Sequence, residues 1–150
     1  MLYIGSDHGG FKLKEQLTKY LESIDEPFKD LGAYELNEQD DYPDFAGEVA
    51  RYVRLKQGNL GIVICRSGIG SCITANKYRE IRAALCTDEK MAKMAREHNG
   101  ANVMCMGADF IDFKTAKKMV LTFIKTPFSM EDRHIRRLNK VLDQDEKIQG

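Results

Sequence analysis

The stretch Leu60-Gly61-Ile62-Val63-Ile64-Cys65, followed at once by Arg66-Ser67-Gly68-Ile69-Gly70-Ser71, decides how the chain is read. The first six residues are apolar, rich in branched side chains and free of charge, the pattern of a strand buried on both faces of a sheet. The next six carry two glycines and two serines and lead into a helix expected to begin near Ser71. Glycines there permit positive backbone angles and close approach, so that successive amides can converge on an anion, and a helix start adds partial positive charge. Strand, amide-rich turn and helix together form a cradle suited to an oxyanion or a phosphate. A plain strand-to-helix turn would use the same residues. Two better-known phosphate loops are excluded: a dinucleotide fingerprint needs a third glycine where Ile73 stands, and a Walker loop needs Gly-Lys-Ser/Thr. A cysteine phosphatase loop also fails, because it needs an arginine where Ser71 stands.

Outward from this stretch, similar short runs occur as LYIG near the start, IRAALC at 81–86 and NVMCMG at 102–107, with PFKDLG at 27–32 as a weaker strand candidate. Between them, apolar residues recur at helical spacing: Leu13, Leu17, Tyr20, Leu21 and Ile24, then Phe45, Val49, Tyr52 and Val53. Helical segments also start near Lys90, Phe113 and Glu131, the last running to about residue 145. Strands alternating with helices imply an α/β fold with a parallel sheet covered on both faces, and such sheets bind ligands beyond the carboxyl ends of their strands. The whole chain, residues 1–150, reads as one domain, with the charged end DQDEKIQG expected to fray.

Charge narrows the partners. Lysine and arginine number 23, as do aspartate and glutamate, so no global field favours nucleic acid or an anionic membrane. No stretch approaches the length of a membrane span, and MLYIGSDHGG lacks the basic and apolar regions of a secretion signal. Cys65, Cys72, Cys86 and Cys105 have no zinc-type spacing and read as reduced thiols. A soluble, cytoplasmic protein without metal is the expectation.

Cys65 ends its strand beside the amide-rich turn, a setting in which a thiol serves as base or nucleophile, although a cysteine ending a buried strand is more often inert packing. The chain has three histidines. His8 follows the first strand within Asp7-His8-Gly9-Gly10, which puts Asp7 and His8 on the same sheet edge as Cys65. His98 and Asn99 end a helix, where a histidine also suits the helix dipole. His134 lies beside Arg133, and Arg133 and Arg137 stand four apart on one helical face, able to converge on a phosphate or to form a solvated basic face.

At these residues the chain resembles the family of ribose-5-phosphate isomerase B and the galactose-6-phosphate isomerase subunits. The likeness runs from Met1 to about Leu142 through SDHGGFKLK at 6–14, DYPDFA at 41–46, CRSGIG with ANK ending at Lys77, HNGANV at 98–103 and RHIRR at 133–137. It implies a Rossmann-like, three-layer fold with a five-stranded parallel sheet, a homodimer or dimer of dimers with sites shared between subunits, and no metal or organic cofactor. It also implies interconversion of ribose 5-phosphate and ribulose 5-phosphate through a cis-enediol. Allose or galactose 6-phosphate isomerisation and a non-catalytic sugar-phosphate-binding protein are the alternatives. By the same resemblance Cys65 is the base, Ser67 its supporting hydroxyl, and the amides from Arg66 through Gly68 and Ile69 to Gly70 the oxyanion site. His98 opens the sugar ring and Asn99 contacts substrate, both from the partner subunit. Asp7 and His8 contact the sugar and its phosphate end, and Arg133 with Arg137 clamps the phosphate. Some family members instead place a glutamate base where Ser71 stands, a role serine cannot fill. Two residues depart from the pattern: Arg66 replaces a usual glycine, and Asp109 replaces an arginine that often contacts phosphate. Their opposite charges suggest a compensating pair.

Overall fold

A computed structural model of the chain describes residues 1–147. Strands β1 (Leu2–Ser6), β2 (Phe28–Asp30), β3 (Leu60–Cys65), β4 (Ala83–Leu85) and β5 (Val103–Gly107) alternate with helices α1 (Phe11–Ser23), α2 (Tyr42–Arg54), α3 (Ile69–Ala75), α4 (Glu89–Asn99) and α5 (Phe113–Lys125). A last helix, α6 (Asp132–Lys147), follows. All strand pairs are parallel, in the order β2-β1-β3-β5-β4. The sheet is thus five-stranded and Rossmann-like, as the alternation and the resemblance imply.

The period of two along each strand sends side chains to two separate cores. Leu2, Ile4, Ile62, Ile64, Met104 and Met106 meet the apolar stripes of α1, α4 and α5, including Leu13, Leu17, Leu21, Met119 and Phe123. Val63, Val103 and Cys105 point the other way, against Val49, Ala50 and Val53 of α2 and Ala75 of α3. Those two helix groups are the outer layers of the three-layer fold. Helix α6 lies outside them against α4, and among the described residues no helix is long and apolar enough to cross a membrane.

Three boundaries differ from the sequence reading. Helix α3 begins at Ile69 rather than near Ser71, because Gly68 adopts φ +77° and turns the chain straight into the helix. Strand β4 keeps only three residues of IRAALC. Asparagine side chains take over there: Asn102 Oδ1 accepts the Arg82 amide and Asn76 Oδ1 the Ala83 amide, each at 2.8 Å. The charged end is helical through Lys147 and tied back by Asp145, whose Oδ2 accepts the Glu80 amide at 2.8 Å; residues 148–150 of that segment lie outside the described residues.

The chain leaves β1 toward β2 on one side and leaves β3 toward β5 on the other. The loops after β1 and β3 therefore emerge side by side with helices departing on opposite faces, which opens a crevice at the carboxyl edge. Gly68 shapes its floor. A methyl group added there would lie 2.6 Å from Leu85 Cδ1 and 2.7 Å from the Met106 carbonyl carbon, at a φ that L side chains rarely adopt. Gly68→Ala is expected to lower unfolding free energy by roughly 2–4 kcal/mol, from backbone strain plus a clash with β5. Urea denaturation checks it, and a loss under about 0.5 kcal/mol would show that the loop yields freely.

Candidate active site

The edge described above gathers the first half of the predicted residues. Cys65 is 4 % exposed at the end of β3, and its Sγ accepts the Gly68 amide at 3.1 Å, which fixes the rotamer and keeps the sulfur turned into the loop. Ser67 Oγ accepts the Ile69 amide at 3.1 Å. Two of the expected oxyanion donors, Gly68 and Ile69, are therefore engaged within the loop itself. The first bond of the helical ladder runs from the Cys72 amide to the Gly68 carbonyl, which leaves the amides of Gly70 and Ser71 outside that ladder. The Ser67 amide likewise takes no acceptor among the loop hydrogen bonds of the described residues. Two of the other cysteines are held as thiols, and the third is turned toward β4. Burial pushes the Cys86 thiol up to about 12. Cys105 is wholly buried, its thiol held well above the ordinary range by Cys72 and by burial. Cys72, drawn down to about 7 chiefly by Cys105, donates to the Ala83 carbonyl at 3.5 Å on the β4 side of α3.

Beside Cys65, Asp7 is 5 % exposed and accepts the Gly10 amide at 3.1 Å. Burial raises its carboxyl above the ordinary value, against the lowering by that amide. The close approach of the loops depends on Gly10, since a methyl group there would run into the Ile64 carbonyl. His8 brings in a residue that sequence reasoning missed. Asp40 Oδ1 accepts both the His8 amide, at 2.8 Å, and its Nδ1, at 2.7 Å. The ring proton is thereby held on Nδ1 and Nε2 is left for a ligand. Asp40 directly precedes the DYPDFA motif, but its partner is 32 positions away, and no local signal shows such a contact. Asp7, His8 and Asp40 are also the described residues whose ligand atoms come close enough, within 4.8 Å, to hold a metal ion. The His8–Asp40 bond already occupies one atom of each, so hydrogen bonding accounts for the grouping.

The departures from the family pattern do meet. Arg66 Nη1 lies 3.9 Å from Asp109 Oδ1 within one chain, and the Asp109 amide donates to the Arg66 carbonyl at 3.0 Å. Both side chains are more than half exposed, so the ion pair itself is weak.

The second half of the predicted residues lies elsewhere. His98 and Asn99 close α4, ahead of β5, and line a cavity of about 300 Å³ with Arg137, His134 and Arg82. Arg133 turns aside to Glu131, 3.0 Å away. In the sheet, Cys65 pairs with Gly107 at the end of β5, whereas Gly61 pairs with Val103 at its start. Four residues of strand, about 13 Å, separate those levels. The two groups thus occupy opposite edges of one sheet and cannot meet on one small sugar within a single chain.

A parallel α/β protein with a thiol in an amide-lined turn and a second polar cluster at the opposite edge of its sheet defines a class of small-molecule enzyme. Residues 2–141 match the model of the Ribose/Galactose Isomerase family, and the chain belongs to that family. It is similar to the probable ribose-5-phosphate isomerase B of Mycoplasma pneumoniae, with 40 % identity over 94 % of this chain and 92 % of that protein. Among solved structures it is similar to ribose-5-phosphate isomerase B of Clostridium thermocellum, with 40 % identity, 98 % of both chains covered and a TM-score of 0.91. The enzyme of Mycoplasma genitalium with bound ribulose 5-phosphate matches at 38 % identity, over 97 % of this chain and 95 % of that one, with a TM-score of 0.91.

The Asp40 contact has a pH consequence. Its hydrogen bond is the largest influence on His8 and raises it above the ordinary 6.5. A raised folded value means that the contact stabilises the fold fully below the unfolded pKa, and that this contribution is lost as pH rises through the folded one. Asp40→Asn is expected to bring the His8 midpoint, followed by NMR, down toward the ordinary value. An unchanged midpoint would show that Asp40 does not hold the proton there.

Proposed function

We propose that the chain interconverts ribose 5-phosphate and ribulose 5-phosphate as a homodimer, or a dimer of dimers, in which each active site takes one edge from each subunit. The observation that carries this reading is Cys65: a thiol at a strand end, aimed into a turn of amides, beside the buried carboxyl of Asp7. Membership of the family and the ribulose 5-phosphate in a similar structure support the substrate class.

In the opened aldose, Cys65 Sγ removes the proton from C2 as the C1 carbonyl oxygen takes up charge. Amides of the turn stabilise that oxygen as fixed dipoles. Ser67 orients the sulfur and the enediol. The thiol proton then returns at C1, and the proton lost from the O2 hydroxyl passes to O1, which leaves a C1 hydroxyl and the C2 carbonyl of the ketose. Proton and electron bookkeeping closes without metal or organic cofactor. His98 of the partner subunit works at the ring, Asn99 of the partner subunit holds a sugar hydroxyl, and the partner's Arg137 and Arg133 take the phosphate with His8. For the phosphate, Arg133 exchanges Glu131 for the ligand. Asp7 contacts the sugar, and Arg66 neutralises Asp109, which otherwise repels the substrate phosphate. Residues 1–150 act as a single sugar-phosphate isomerase domain. Four free thiols fit a reducing cytoplasm.

A coupled assay with ribose 5-phosphate, allose 6-phosphate and galactose 6-phosphate, run in excess chelator, tests the reading. Ribose 5-phosphate is expected to be turned over, and Cys65→Ala to reduce turnover by at least about 100-fold while sugar-phosphate binding persists. Inactivity on all three sugars, or near-normal turnover of Cys65→Ala, would overturn it.

A further inference from the structure

His134 is a buried group that the mechanism above does not use. It sits in the first turn of α6, 4 % exposed, with its ring centroid 4.5 Å from that of His98 and the two planes tilted by 32°. Its Nδ1 lies 2.6 Å from Ser129 Oγ. That oxygen also accepts the Glu131 amide at 3.3 Å. Ser129 is itself anchored to α4, its amide donating to the Glu97 carbonyl at 3.0 Å. One face of His98 is thus walled by a ring whose support is tied to the residue just before His98.

Burial and the cationic groups around His134 favour its neutral form. His98 faces it from α4, Glu131 from the preceding segment, and Arg133 and Arg137 from its own helix; Arg82 lines the same cavity. Burial comes first, followed by His98, in holding it below the ordinary histidine range, and Glu131 opposes them. A neutral neighbour lets His98 gain and lose a proton without a second cation stacked against it.

We propose that His134 is a positioning residue for ring opening, orienting the His98 imidazole through the Ser129–His134–His98 stack toward the furanose oxygen. The proposal rests on the assignment of ring opening to His98. In that step the C1–O4 bond breaks, its electron pair stays on O4, and O4 gains a proton. The O1 hydroxyl loses a proton and becomes the C1 carbonyl. One proton enters and one leaves, so a single well-placed imidazole handles both transfers.

Ribulose 5-phosphate has no furanose to open, because its C5 oxygen carries the phosphate. An enzyme that cannot open rings must wait for the aldose to open in solution, so its rate on ribose 5-phosphate stops rising as enzyme is added. Its rate on ribulose 5-phosphate continues to rise in proportion. Stopped-flow rates in both directions against enzyme concentration therefore isolate this step from general damage. For His134→Ala and His98→Ala we expect the aldose rate to level off at one shared ceiling, with the ketose rate proportional throughout; wild type is proportional in both. Ser129→Ala leaves both rings in place and removes the hydrogen bonds of the Ser129 hydroxyl to His134 and to the Glu131 amide. It should lower the aldose slope by at least about threefold relative to the ketose slope, and it preserves the test if His134→Ala does not fold. Levelling off by His98→Ala alone, with His134→Ala or Ser129→Ala impaired equally in both directions, would overturn the role of His134. If His98→Ala stays proportional as well, the ring-opening assignment itself fails.

Discussion

The pairing of β1 with β3, Ser6 opposite Ile64, is the constraint on which the rest of the site depends. Because the chain diverges from these two neighbouring strands, their loops leave together, and nothing but glycine fits where Gly10 passes the Ile64 carbonyl. A loop held that close brings Asp7 and His8 beside Cys65 without any dedicated contact between them. Gly68 does the corresponding work on the other side, its left-handed turn laying the β3 loop over the end of β5. The thiol is thereby held by backbone geometry. This suits the proposed proton transfer, in which small displacements of the base are costly.

On the proposed assignment of roles, the same topology makes one chain insufficient. A parallel sheet puts every strand end on one edge and every strand start on the other, so residues that close a helix before β5 cannot share a pocket with residues that follow β3. His98 and Asn99 belong to the first kind, Cys65 and Ser67 to the second. Two copies related by symmetry, each presenting its opposite edge, would complete two equivalent sites at once. The weight of phosphate recognition would then fall on α6, a helix that touches the domain mainly through α4.

Much of this was legible in the chain. The strand Leu60–Cys65 coincides with its apolar run because a strand buried on both faces has no reason to admit a polar residue, and Gly68 and Gly70 mark where it stops. Local pattern was less informative where one side chain replaces a backbone partner. The Asn76 and Asn102 amides that cut β4 short look like ordinary loop residues, and Asp40 gives no hint of His8. The helix start at Ile69 was also hidden, since a glycine can end a loop in several ways and only its φ shows which. His134 was visible merely as a histidine among charges; its stacking on His98 arises from how α6 packs on α4, and no periodicity encodes that. Arg66 and Asp109 show the reverse case, in which opposite charges at two atypical positions hinted at a contact that the fold then makes within one chain.

The central claim is that catalysis needs opposite edges of two subunits, and subunit mixing tests it most directly. Cys65→Ala, nearly inactive alone, and His98→Ala, limited on ribose 5-phosphate by ring opening in solution, are combined under conditions of proven subunit exchange and assayed on ribose 5-phosphate at enzyme concentrations where His98→Ala alone has levelled off. A heterodimer then holds one site with both defects and one with neither. With random pairing and independent sites, the account predicts recovery of up to about one-quarter of wild-type activity. No recovery despite exchange would contradict it and place His98 and Cys65 outside any common site.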